Sequence, residues 1–501
     1  MSNLAQILPQ AAARSPERAA LKLDDAGVSY DELDQAAARV AGLLHAKGMR
    51  AGDRVGLMLP NVPYFAFVYY GILRAGGVVV PMNVLLKERE VAYYLSDSDA
   101  LLLFAWHQFA DAAHGGSDQA HADCLLVEPG DFEALLGRSE RVEEVVERSG
   151  GDTAVILYTS GTTGTPKGAE LTHDNLRRNV EIAAGLFGID GGTVTLGALP
   201  LFHSFGQTCG LNATIRAGGC LTLIPRFDAG RALEIIERDR VAVFEGVPTM
   251  YGALLSHPRR ADFDTSTLRV CVSGGAALPV EVMRNFERAF GCSILEGYGL
   301  SETSPVASFN HPERERKPGS IGTPIDGVEM KAVDEDGREV PPGEVGEIAI
   351  RGHNVMKGYW RRPEATAEAI RRGWFHTGDL GRIDEDGYFF IVDRKKDMVI
   401  RGGYNVYPRE IEEVLYEHPA VREAAVIGVP HPELGEEVAA AVALVAGAEV
   451  EERELVHFVK AQLAAYKYPR LVWFVDELPK GPTGKILRRE VRAPDNVASA
   501  T

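Results

Sequence analysis

The amino-acid sequence predicts an α/β protein with a large N-terminal doubly wound α/β domain, a β-rich subdomain and a small α+β C-terminal domain joined by a hinge. Apolar, strand-like runs alternate with amphipathic, helix-like runs through the first half of the chain, which is typical of a parallel sheet covered by helices. Beyond Gly337, short alternating strands are separated by Asp-Gly and Pro-Pro turns, which indicates a β-rich region. The length of 501 residues also exceeds what one hydrophobic core supports.

The first predicted helix begins at Ser29, which forms a Ser-x-x-Glu capping box with Glu32. Apolar residues then recur at helical spacing until Gly48. Strands and helices that alternate in this way imply a parallel, doubly wound sheet. The predicted segments that continue the alternation are strand 55–59, helix 64–74, strand 78–80, strand 154–157, a helix opened by Asn175, strand 221–224, helix 232–238 and strand 241–244.

The N-terminal domain with its β-rich subdomain is predicted to span residues 1–392, and the C-terminal domain residues 397–501. The charged run 393–397 between them follows an apolar strand, and such a run is usually a solvated turn. The remaining chain is long enough for a small α+β domain. Its predicted elements are helix 409–416, strand 424–429, helix 452–465 and strand 471–475.

The composition excludes several classes of protein. The net charge of -18, from 71 acidic and 53 basic residues, disfavours nucleic acid as a partner. The five cysteines include no Cys-x-x-Cys pair, which argues against a zinc site or disulfide framework and fits a reducing cytosol. No signal-peptide pattern opens the chain and no apolar run could span a bilayer, so we expect a cytoplasmic protein without an integral membrane segment. Peripheral contact with a membrane to collect a lipid substrate stays open.

The run Tyr-Thr-Ser-Gly-Thr-Thr-Gly-Thr-Pro-Lys-Gly at residues 158–168 predicts a polyphosphate-binding loop. Glycines let backbone N–H groups face an anion, hydroxyls add donors and Lys167 adds a positive charge. The loop differs from the Walker motif, because only two residues separate Gly161 from Gly164 and a Thr-Pro pair precedes the lysine. A flexible linker is the alternative, but a linker does not need a proline and a lysine at fixed positions after a hydrophobic strand.

Three further motifs follow the loop in the chain: Gly-Tyr-Gly-Leu-Ser-Glu-Thr-Ser at 297–304, Thr-Gly-Asp at 377–379 and Pro-Thr-Gly-Lys-Ile at 482–486. With the loop, they resemble the acyl-adenylate-forming (ANL) superfamily of acyl-CoA synthetases, firefly luciferase and peptide-synthetase adenylation domains. The match spans nearly the whole chain, and several motifs in the right order leave little room for chance. The resemblance implies an AMP-dependent fatty acyl-CoA synthetase that uses ATP, Mg²⁺ and coenzyme A.

The resemblance also implies a role for each motif residue when a carboxylate attacks the α-phosphorus of ATP. Glu302 matches the Mg²⁺ ligand of the family with Thr159 beside it, and oxygen ligands suit a cation that keeps several waters. Tyr298 is expected to stack on adenine, and Asp379 and Arg394 to bind the ribose. The other residues implied to bind the nucleotide are Ser160, Gly161, Thr162, Thr163, Gly164, Lys167, Gly275, Ala276, Gly299, Ser301 and Lys485.

Lys485 is implied to bridge the attacking carboxylate and the α-phosphate, although a solvated surface lysine is the default for such a turn. Because Lys485 belongs to the C-terminal domain, half of the site must arrive by domain closure. The resemblance also implies a later domain rotation about Lys396, and a pantetheine channel beside Gly402 and Gly403, where glycines permit close backbone approach. The predicted catalytic residues are Lys485, Glu302, Lys167 and His203.

The acyl group is expected to enter an apolar pocket. Amino-acid-activating relatives carry an aspartate near His203, and malonate-activating relatives carry an arginine in place of Gly297, so both substrate classes are disfavoured. His203 matches a gate position of the family, although a histidine packed among phenylalanines is the simpler alternative. The apolar wall suits an alkyl chain or an aromatic ring, and glycines 274–275 favour a long tunnel. The predicted lining is His203, Phe205, Cys209, Val247, Met250, Gly274, Ala276 and Val306.

We therefore predict an acid-thiol ligase that activates a hydrophobic carboxylic acid, foremost a medium or long fatty acid, to acyl-AMP and transfers it to coenzyme A. The alternatives are an acyl-AMP ligase that loads an acyl carrier protein and an aryl-CoA ligase for a coumarate-like acid. Residues 327–351 show no sign of the insertion that acyl-AMP ligases often carry. An oxygenase of the luciferase kind also stays open. A non-catalytic scaffold is disfavoured because these residues are all present: Lys167, Glu302, Asp379, Arg394 and Lys485.

Overall fold

The computed structural model describes residues 2–159 and 165–494. The predicted loop residues outside this part of the chain are Ser160, Gly161, Thr162, Thr163 and Gly164. The described strands are β1 (Ala19–Leu23), β2 (Ala26–Ser29), β3 (Arg54–Met58), β4 (Val78–Pro81), β5 (Ala100–Trp106), β6 (Asp123–Val127), β7 (Thr153–Thr159), β8 (Lys167–Thr172), β9 (Val194–Gly197), β10 (Cys220–Leu223), β11 (Val243–Gly246), β12 (Val270–Ser273), β13 (Ser293–Gly299), β14 (Val306–Phe309), β15 (Thr323–Pro324), β16 (Val328–Val333), β17 (Gly346–Gly352), β18 (Gly358–Tyr359), β19 (Ile370–Arg371), β20 (Trp374–Ile383), β21 (Phe389–Arg394), β22 (Val399–Arg401), β23 (Tyr404–Val406), β24 (Val421–His431), β25 (Gly435–Leu444) and β26 (Leu471–Phe474).

Helices connect most of these strands, and a π-helix spans Phe205–Asn212. The α-helices are α1 (Ile7–Arg14), α2 (Tyr30–Ala46), α3 (Pro63–Arg74), α4 (Glu88–Ser98), α5 (Ala110–Ala120), α6 (Asp131–Arg138), α7 (His173–Leu186), α8 (Ala213–Ala217), α9 (Ala229–Asp239), α10 (Pro248–Leu255), α11 (Val280–Phe290), α12 (Pro363–Ala369), α13 (Pro408–Tyr416) and α14 (Glu452–Lys460).

Two large sheets form the N-terminal domain. The nine-stranded sheet has the order β15-β14-β13-β12-β11-β9-β10-β1-β2 and is parallel from β13 to β1. The seven-stranded sheet has the order β18-β8-β7-β4-β3-β5-β6 and is parallel from β7 to β6. Antiparallel strands flank the parallel centre of each sheet. In such sheets, ligands bind beyond the carboxyl ends of the parallel strands.

Helices cover both faces of the sheets. Val40 of α2 and Leu211 of the π-helix belong to a core that also contains side chains from both sheets. Val91 of α4 packs in a second cluster on the other face of the seven-stranded sheet. Tyr251 of α10 and Phe286 of α11 are fully buried against the nine-stranded sheet. This arrangement confirms the predicted doubly wound α/β class.

The β-rich subdomain and the C-terminal domain are built on two smaller sheets. The first has the order β16-β17-β20-β19, with β21 paired to β20. The second has the order β23-β22-β25-β24, with β26 paired to β25, and its core includes Ile411 of α13 and Leu455 of α14. The predicted large N-terminal and small C-terminal domains are therefore confirmed.

Local sequence signals account for several element ends. The hydroxyl of Ser29 accepts a hydrogen bond from the Glu32 N–H at 3.2 Å, and the Glu32 carboxylate accepts one from the Ser29 N–H at 2.8 Å. This is the predicted capping box of α2. Gly48, just after the helix, adopts φ +81°, a conformation that favours glycine.

Three predictions of local structure were wrong in detail. The parallel strands belong to two sheets, because local periodicity does not specify which strands pair. Helix α7 begins at His173 with Thr172 as its cap, and the side chain of Asn175 accepts a hydrogen bond from the Thr172 N–H at 2.9 Å. Helix α14 ends at Lys460 and not at residue 465, and beyond its end Tyr466 stacks on Tyr404 at 4.8 Å. Within the part of the chain that the structure describes, every helix lacks the length and apolarity needed to cross a bilayer.

Candidate active site

The predicted adenine and ribose residues meet where the nine-stranded sheet borders the β-rich subdomain. Tyr298 lies near the end of β13, and its hydroxyl donates a hydrogen bond to Asp379 Oδ2 at 2.6 Å. Asp379 on β20 pairs with Arg394 on β21, and Arg394 Nε lies 3.1 Å from Asp379 Oδ1. Burial, together with the Asp379 charge, raises the pKa of Tyr298, so the phenol remains a hydrogen-bond donor. The buried Asp379 carboxylate keeps lone pairs that can accept ribose hydroxyls.

Glu302 and Thr159 come together as predicted. Thr159 Oγ1 donates to Glu302 Oε1 at 3.2 Å, and the hydroxyl of Tyr359 donates to the same oxygen at 3.0 Å. Lys167 is the cross-strand partner of Thr159, and its Nζ lies 5.4 Å from the centre of the Tyr359 ring. A buried carboxylate oxygen beside a hydroxyl and a lysine fits a site for Mg²⁺ and phosphate groups.

The flanks of the phosphate loop are held by helix α4. Strands β7 and β8 are antiparallel, so the loop joins two paired strands. On one flank, Tyr158 stacks on Tyr94 at 4.3 Å and donates to Asp97 Oδ2 at 2.8 Å. On the other flank, Tyr93 donates to the carbonyl oxygen of Pro166 at 2.7 Å. These supporting residues belong to no motif, so the sequence alone does not reveal them.

Lys485 reaches this site from the C-terminal domain. The preceding Gly484 adopts φ +81°, and its carbonyl oxygen accepts a hydrogen bond from Thr249 Oγ1 at 2.8 Å. Burial, followed by the positive charge of Arg394, lowers the pKa of Lys485 to about 8. The positive charge of Lys485 also contributes to a lowered pKa of His203. The structure therefore brings the ribose-binding cluster, the predicted gate and the lysine together.

His203 precedes the π-helix. Its Nδ1 accepts a hydrogen bond from the Phe205 N–H at 3.3 Å, which leaves Nε2 to carry the proton. Burial, followed by the charge of Lys485, lowers the pKa of His203 to about 4, so the ring is neutral at physiological pH. The Phe205 ring packs against Gly274, where an added Cβ would lie 3.0 Å from Phe205 Cε1. Irregular helical turns of this kind are frequent at functional sites.

The other predicted pocket residues share one buried cluster with Phe205. Its members from the predicted lining are Cys209, Val247, Met250 and Val306. Gly275 adopts φ +78°, and a Cβ there would lie 3.6 Å from Val247 Cγ1. Gly297 leaves no room for a side chain, because an added Cβ would lie 2.1 Å from Phe309 Cε2. The pocket is thus apolar and closed to the arginine of malonate-activating relatives.

The remaining nucleotide residues lie at the ends of β12 and β13. Ala276 and Ser301 are half-buried. Gly299 must lack a side chain, because an added Cβ would lie 1.8 Å from the carbonyl oxygen of Pro305.

The predicted coenzyme A residues lie at an exposed hairpin tip of the C-terminal domain. Gly402 and Gly403 adopt φ values of +56° and +84° between β22 and β23, and the Gly402 N–H donates to the carbonyl of Leu434 at 2.8 Å. The structure does not bring them together with Tyr298 and Asp379. A change of domain arrangement would be needed to do so.

An ion-pair cluster ties the segment after Lys485 to the predicted hinge. Arg488 Nη1 lies 2.9 Å from Asp393 Oδ1, and Arg488 Nη2 lies 2.7 Å from Glu412 Oε2. Asp393 Oδ2 also accepts a hydrogen bond from the Arg409 N–H at 3.0 Å. Removing one member of such a largely buried cluster is strongly destabilising. Lys396 itself lies exposed in the adjoining turn. In this turn the Asp397 N–H donates a hydrogen bond to the Arg394 carbonyl at 3.0 Å.

A lysine of the small domain lies beside the tyrosine–aspartate–arginine cluster and the apolar residues, and a carboxylate lies next to the flanks of the glycine-rich segment. This arrangement fits a nucleotide-dependent enzyme that acts on an organic acid. The chain matches the family described as "AMP-binding enzyme" over residues 8–360 and "AMP-binding enzyme C-terminal domain" over residues 410–485. The chain belongs to this AMP-binding (ANL) superfamily and is an acyl-CoA ligase of the AMP-forming kind, as its sequence predicted.

Similar proteins include a long-chain-fatty-acid–CoA ligase of Bacillus subtilis (strain 168), 39% identical over 97% of this chain and 94% of that protein. A feruloyl-CoA synthase of Amycolatopsis sp is 40% identical over 95% of this chain and 96% of that protein. Among solved structures, ATP-bound MatB from Rhodopseudomonas palustris has a TM-score of 0.91 and 36% identity, covering 97% of each chain.

Ligases of this family use ATP, Mg²⁺ and coenzyme A, which confirms the predicted cofactors. The residues of this chain fit the cation. Glu302 offers one carboxylate oxygen beside the Thr159 hydroxyl. The described residues contain no group of three or more acidic, histidine or cysteine side chains that could hold a metal ion. A single carboxylate suits Mg²⁺, which completes its coordination with phosphates and water.

Proposed function

We propose that this protein activates a hydrophobic carboxylic acid, with a medium or long fatty acid as the first candidate, to acyl-AMP and transfers the acyl group to coenzyme A. The observation that carries the proposal is the position of Lys485, next to the Gly484 carbonyl that Thr249 Oγ1 binds at 2.8 Å, with Asp379 on one side and His203 on the other. The similarity to the long-chain-fatty-acid–CoA ligase of Bacillus subtilis supports the fatty acid.

In the proposed mechanism, the protein aligns the acid and ATP and stabilises developing charge. Lys485 holds the acid carboxylate against the α-phosphate, and Lys167 together with loop residues 160–164 holds the β- and γ-phosphates. Mg²⁺ held by Glu302 and Thr159 would supply positive charge at the phosphates. Neutral His203 gates the pocket without adding a second cation beside Lys485.

We further propose that the domains divide at residues 392 and 397 and that the hinge pivots at Lys396. Two observations support a second arrangement of the domains. The hinge turn is exposed, and Gly402 and Gly403 stand at the surface while Lys485 occupies the site. A rotation that withdraws Lys485 could bring the glycine hairpin to the acyl-adenylate and admit the pantetheine thiol.

An aromatic acid is the second candidate substrate. The feruloyl-CoA synthase of Amycolatopsis sp is 40% identical to this chain, so overall similarity does not favour an alkyl over an aryl acid. Transfer to an acyl carrier protein is the alternative for the second half-reaction.

The test is a pyrophosphate-release screen over fatty and aryl acids, each with and without coenzyme A. The proposal expects acyl-CoA and AMP from fatty acids of medium or long chain. Release that needs a carrier protein in place of coenzyme A would favour the acyl-AMP ligase. The absence of pyrophosphate release with every acid would refute the proposal.

A further inference from the structure

Strand β11 carries a buried carboxyl group that the proposed mechanism does not use. Glu245 is 1% exposed, and its Oε1 has no hydrogen-bond partner among the described residues. Burial raises the pKa of Glu245 well above its usual range, which favours the neutral carboxylic acid. Leaving such a group unpaired costs free energy that a hydrogen-bonding partner would recover.

Glu245 faces the same side of its strand as the pocket residue Val247. Side chains two apart on an extended strand share a face, and Val247 continues the extended backbone with φ -104° and ψ 159°. Val247 packs against Gly484, where an added Cβ would lie 3.2 Å from Val247 Cγ2, so it stands next to Lys485. Two residues of strand correspond to about 7 Å. The backbone of Glu245 therefore lies about that much farther from the reacting end than the backbone of Val247.

The π-helix forms the opposite boundary of this group. An added Cβ at Gly210 would lie 3.3 Å from Glu245 Oε2, which places the carboxyl group beside the residue that follows the pocket residue Cys209. Phe205, four residues before Cys209, packs on Gly274 at the other end of the predicted lining. The carboxyl thus faces the helix that forms the pocket wall, at the far end of the apolar region.

We propose that the Glu245 carboxyl group selects acyl substrates whose distal end carries a hydroxyl group, an inference that rests on the proposed ligase function. A carboxylic acid can donate one hydrogen bond to a hydroxyl oxygen and accept one in return. A plain hydrocarbon end would leave the buried carboxyl unpaired, so an ordinary fatty acid should be turned over with a lower kcat/KM than its hydroxylated counterpart, since sites built around a substrate hydroxyl discriminate against analogues that lack it. An aromatic ring or an alkyl chain can present this hydroxyl, so the experiment includes both.

The experiment compares two matched pairs of acids: cinnamic with 4-hydroxycinnamic acid, and decanoic with 10-hydroxydecanoic acid. Pyrophosphate release is measured with Mg²⁺, ATP and coenzyme A, and kcat/KM is taken as a ratio within each pair. We expect the wild-type protein to favour the hydroxylated member of at least one pair by about tenfold or more. The pair that shows this preference identifies the aryl or the alkyl source.

Two variants of Glu245 test whether this residue causes the preference. Glu245→Leu should reduce the ratio to near one, whereas Glu245→Gln should retain most of the preference because an amide still forms hydrogen bonds. Glu296→Gln is the matched control, because Glu296 is another buried carboxyl with an unpaired oxygen, one that lies beside Leu278 and Arg409. It should leave the ratio unchanged.

Equal or lower kcat/KM for the hydroxylated member of both pairs in the wild type would overturn the inference, as would a preference that survives Glu245→Leu. Stronger selection of 10-aminodecanoic acid than of 10-hydroxydecanoic acid would also overturn it, because that outcome requires a charged carboxylate. If Glu245→Leu fails to fold, the kcat/KM ratios of the wild type and of Glu245→Gln still test the inference. Turnover of either member of a pair supports the proposed function independently of the ratio, and loss of all turnover refutes both proposals.

Discussion

The protonation of Lys485 gives a sharp prediction for the adenylation half-reaction. Burial lowers its pKa to about 8, so the group is charged below that pH and neutral above it. About nine-tenths of the lysine is charged at pH 7 and about one-tenth at pH 9. If the cation aligns the carboxylate and the α-phosphate, the rate of acyl-adenylate formation should fall about tenfold between these pH values. His203 does not contribute to this change, because the pKa of its ring is about 4.

The assay separates the two half-reactions at saturating ATP. Single-turnover pyrophosphate release reports adenylation, and preformed acyl-adenylate mixed with coenzyme A reports thioester formation. Lys485→Arg should remove the decline toward pH 9, because a guanidinium stays charged. Lys485→Ala should nearly abolish adenylation while sparing thioester formation. Adenylation that stays constant or rises from pH 7 to pH 9, or an equal loss of both half-reactions in Lys485→Ala, would refute the reasoning.

The other predictions concern the nucleotide cluster, a buried acid and the hinge. Asp379→Ala and Tyr298→Ala should each weaken ATP binding by about 1.5–3 kcal/mol and so raise the KM for ATP, because these side chains are proposed to contact the ribose and the adenine and hold each other in place through a hydrogen bond of 2.6 Å. An unchanged KM for ATP in both variants would contradict the assignment. Burial raises the pKa of Glu296 from 4.5 to about 7, so the folded protein keeps a proton that the unfolded chain releases, and stability should decline as the pH rises through this window. The free energy of unfolding, measured in urea at pH 5 and at pH 8, should fall less between these pH values in Glu296→Gln than in the wild type, by up to about 3 kcal/mol. A variant whose free energy of unfolding falls as much as that of the wild type would contradict this prediction. Lys396→Pro should keep adenylation and lose thioester formation, because proline restricts the backbone torsion that a pivot must change, and wild-type acyl-CoA turnover by the folded variant would exclude this pivot. Lys396→Ala is the better control than Lys395→Pro, because the Lys395 N–H donates to the Gly378 carbonyl at 3.0 Å and a proline there would remove that bond.

The sequence predicted most elements and the motif residues, because both depend on local signals. Capping by Ser29 and the apolar strands are encoded by neighbouring residues, and the structure confirms them. Sheet partners depend on contacts between distant segments, so the division into two sheets was not predictable from periodicity. The end of α14 was also missed, because the helical spacing of Leu455, Val459 and Leu463 continues past Lys460, where the helix ends.

Within the candidate site, the residues that support the motifs were the ones missed. Tyr359 contacts Glu302 only because β18 pairs with β8, and no local pattern marks this pairing. Arg488 and Asp393 are 95 positions apart in the chain, and their ion pair exists only in the folded arrangement. Glu245 follows the apolar run of a strand, where a sequence reading gives no reason to expect a buried carboxyl that lacks a partner.

The contact between Gly297 and Phe309 restricts how this pocket could evolve toward dicarboxylates. An arginine at 297 cannot be accommodated first, since its Cβ alone would overlap the Phe309 ring. Replacing Phe309 first would remove a buried ring that also packs on Phe187 at 5.2 Å, at a cost of about 3–5 kcal/mol for a change to alanine. Either change made first is therefore expected to destabilise the protein, so a chain that carries this glycine and phenylalanine is expected to reach the dicarboxylate class only when both positions change together.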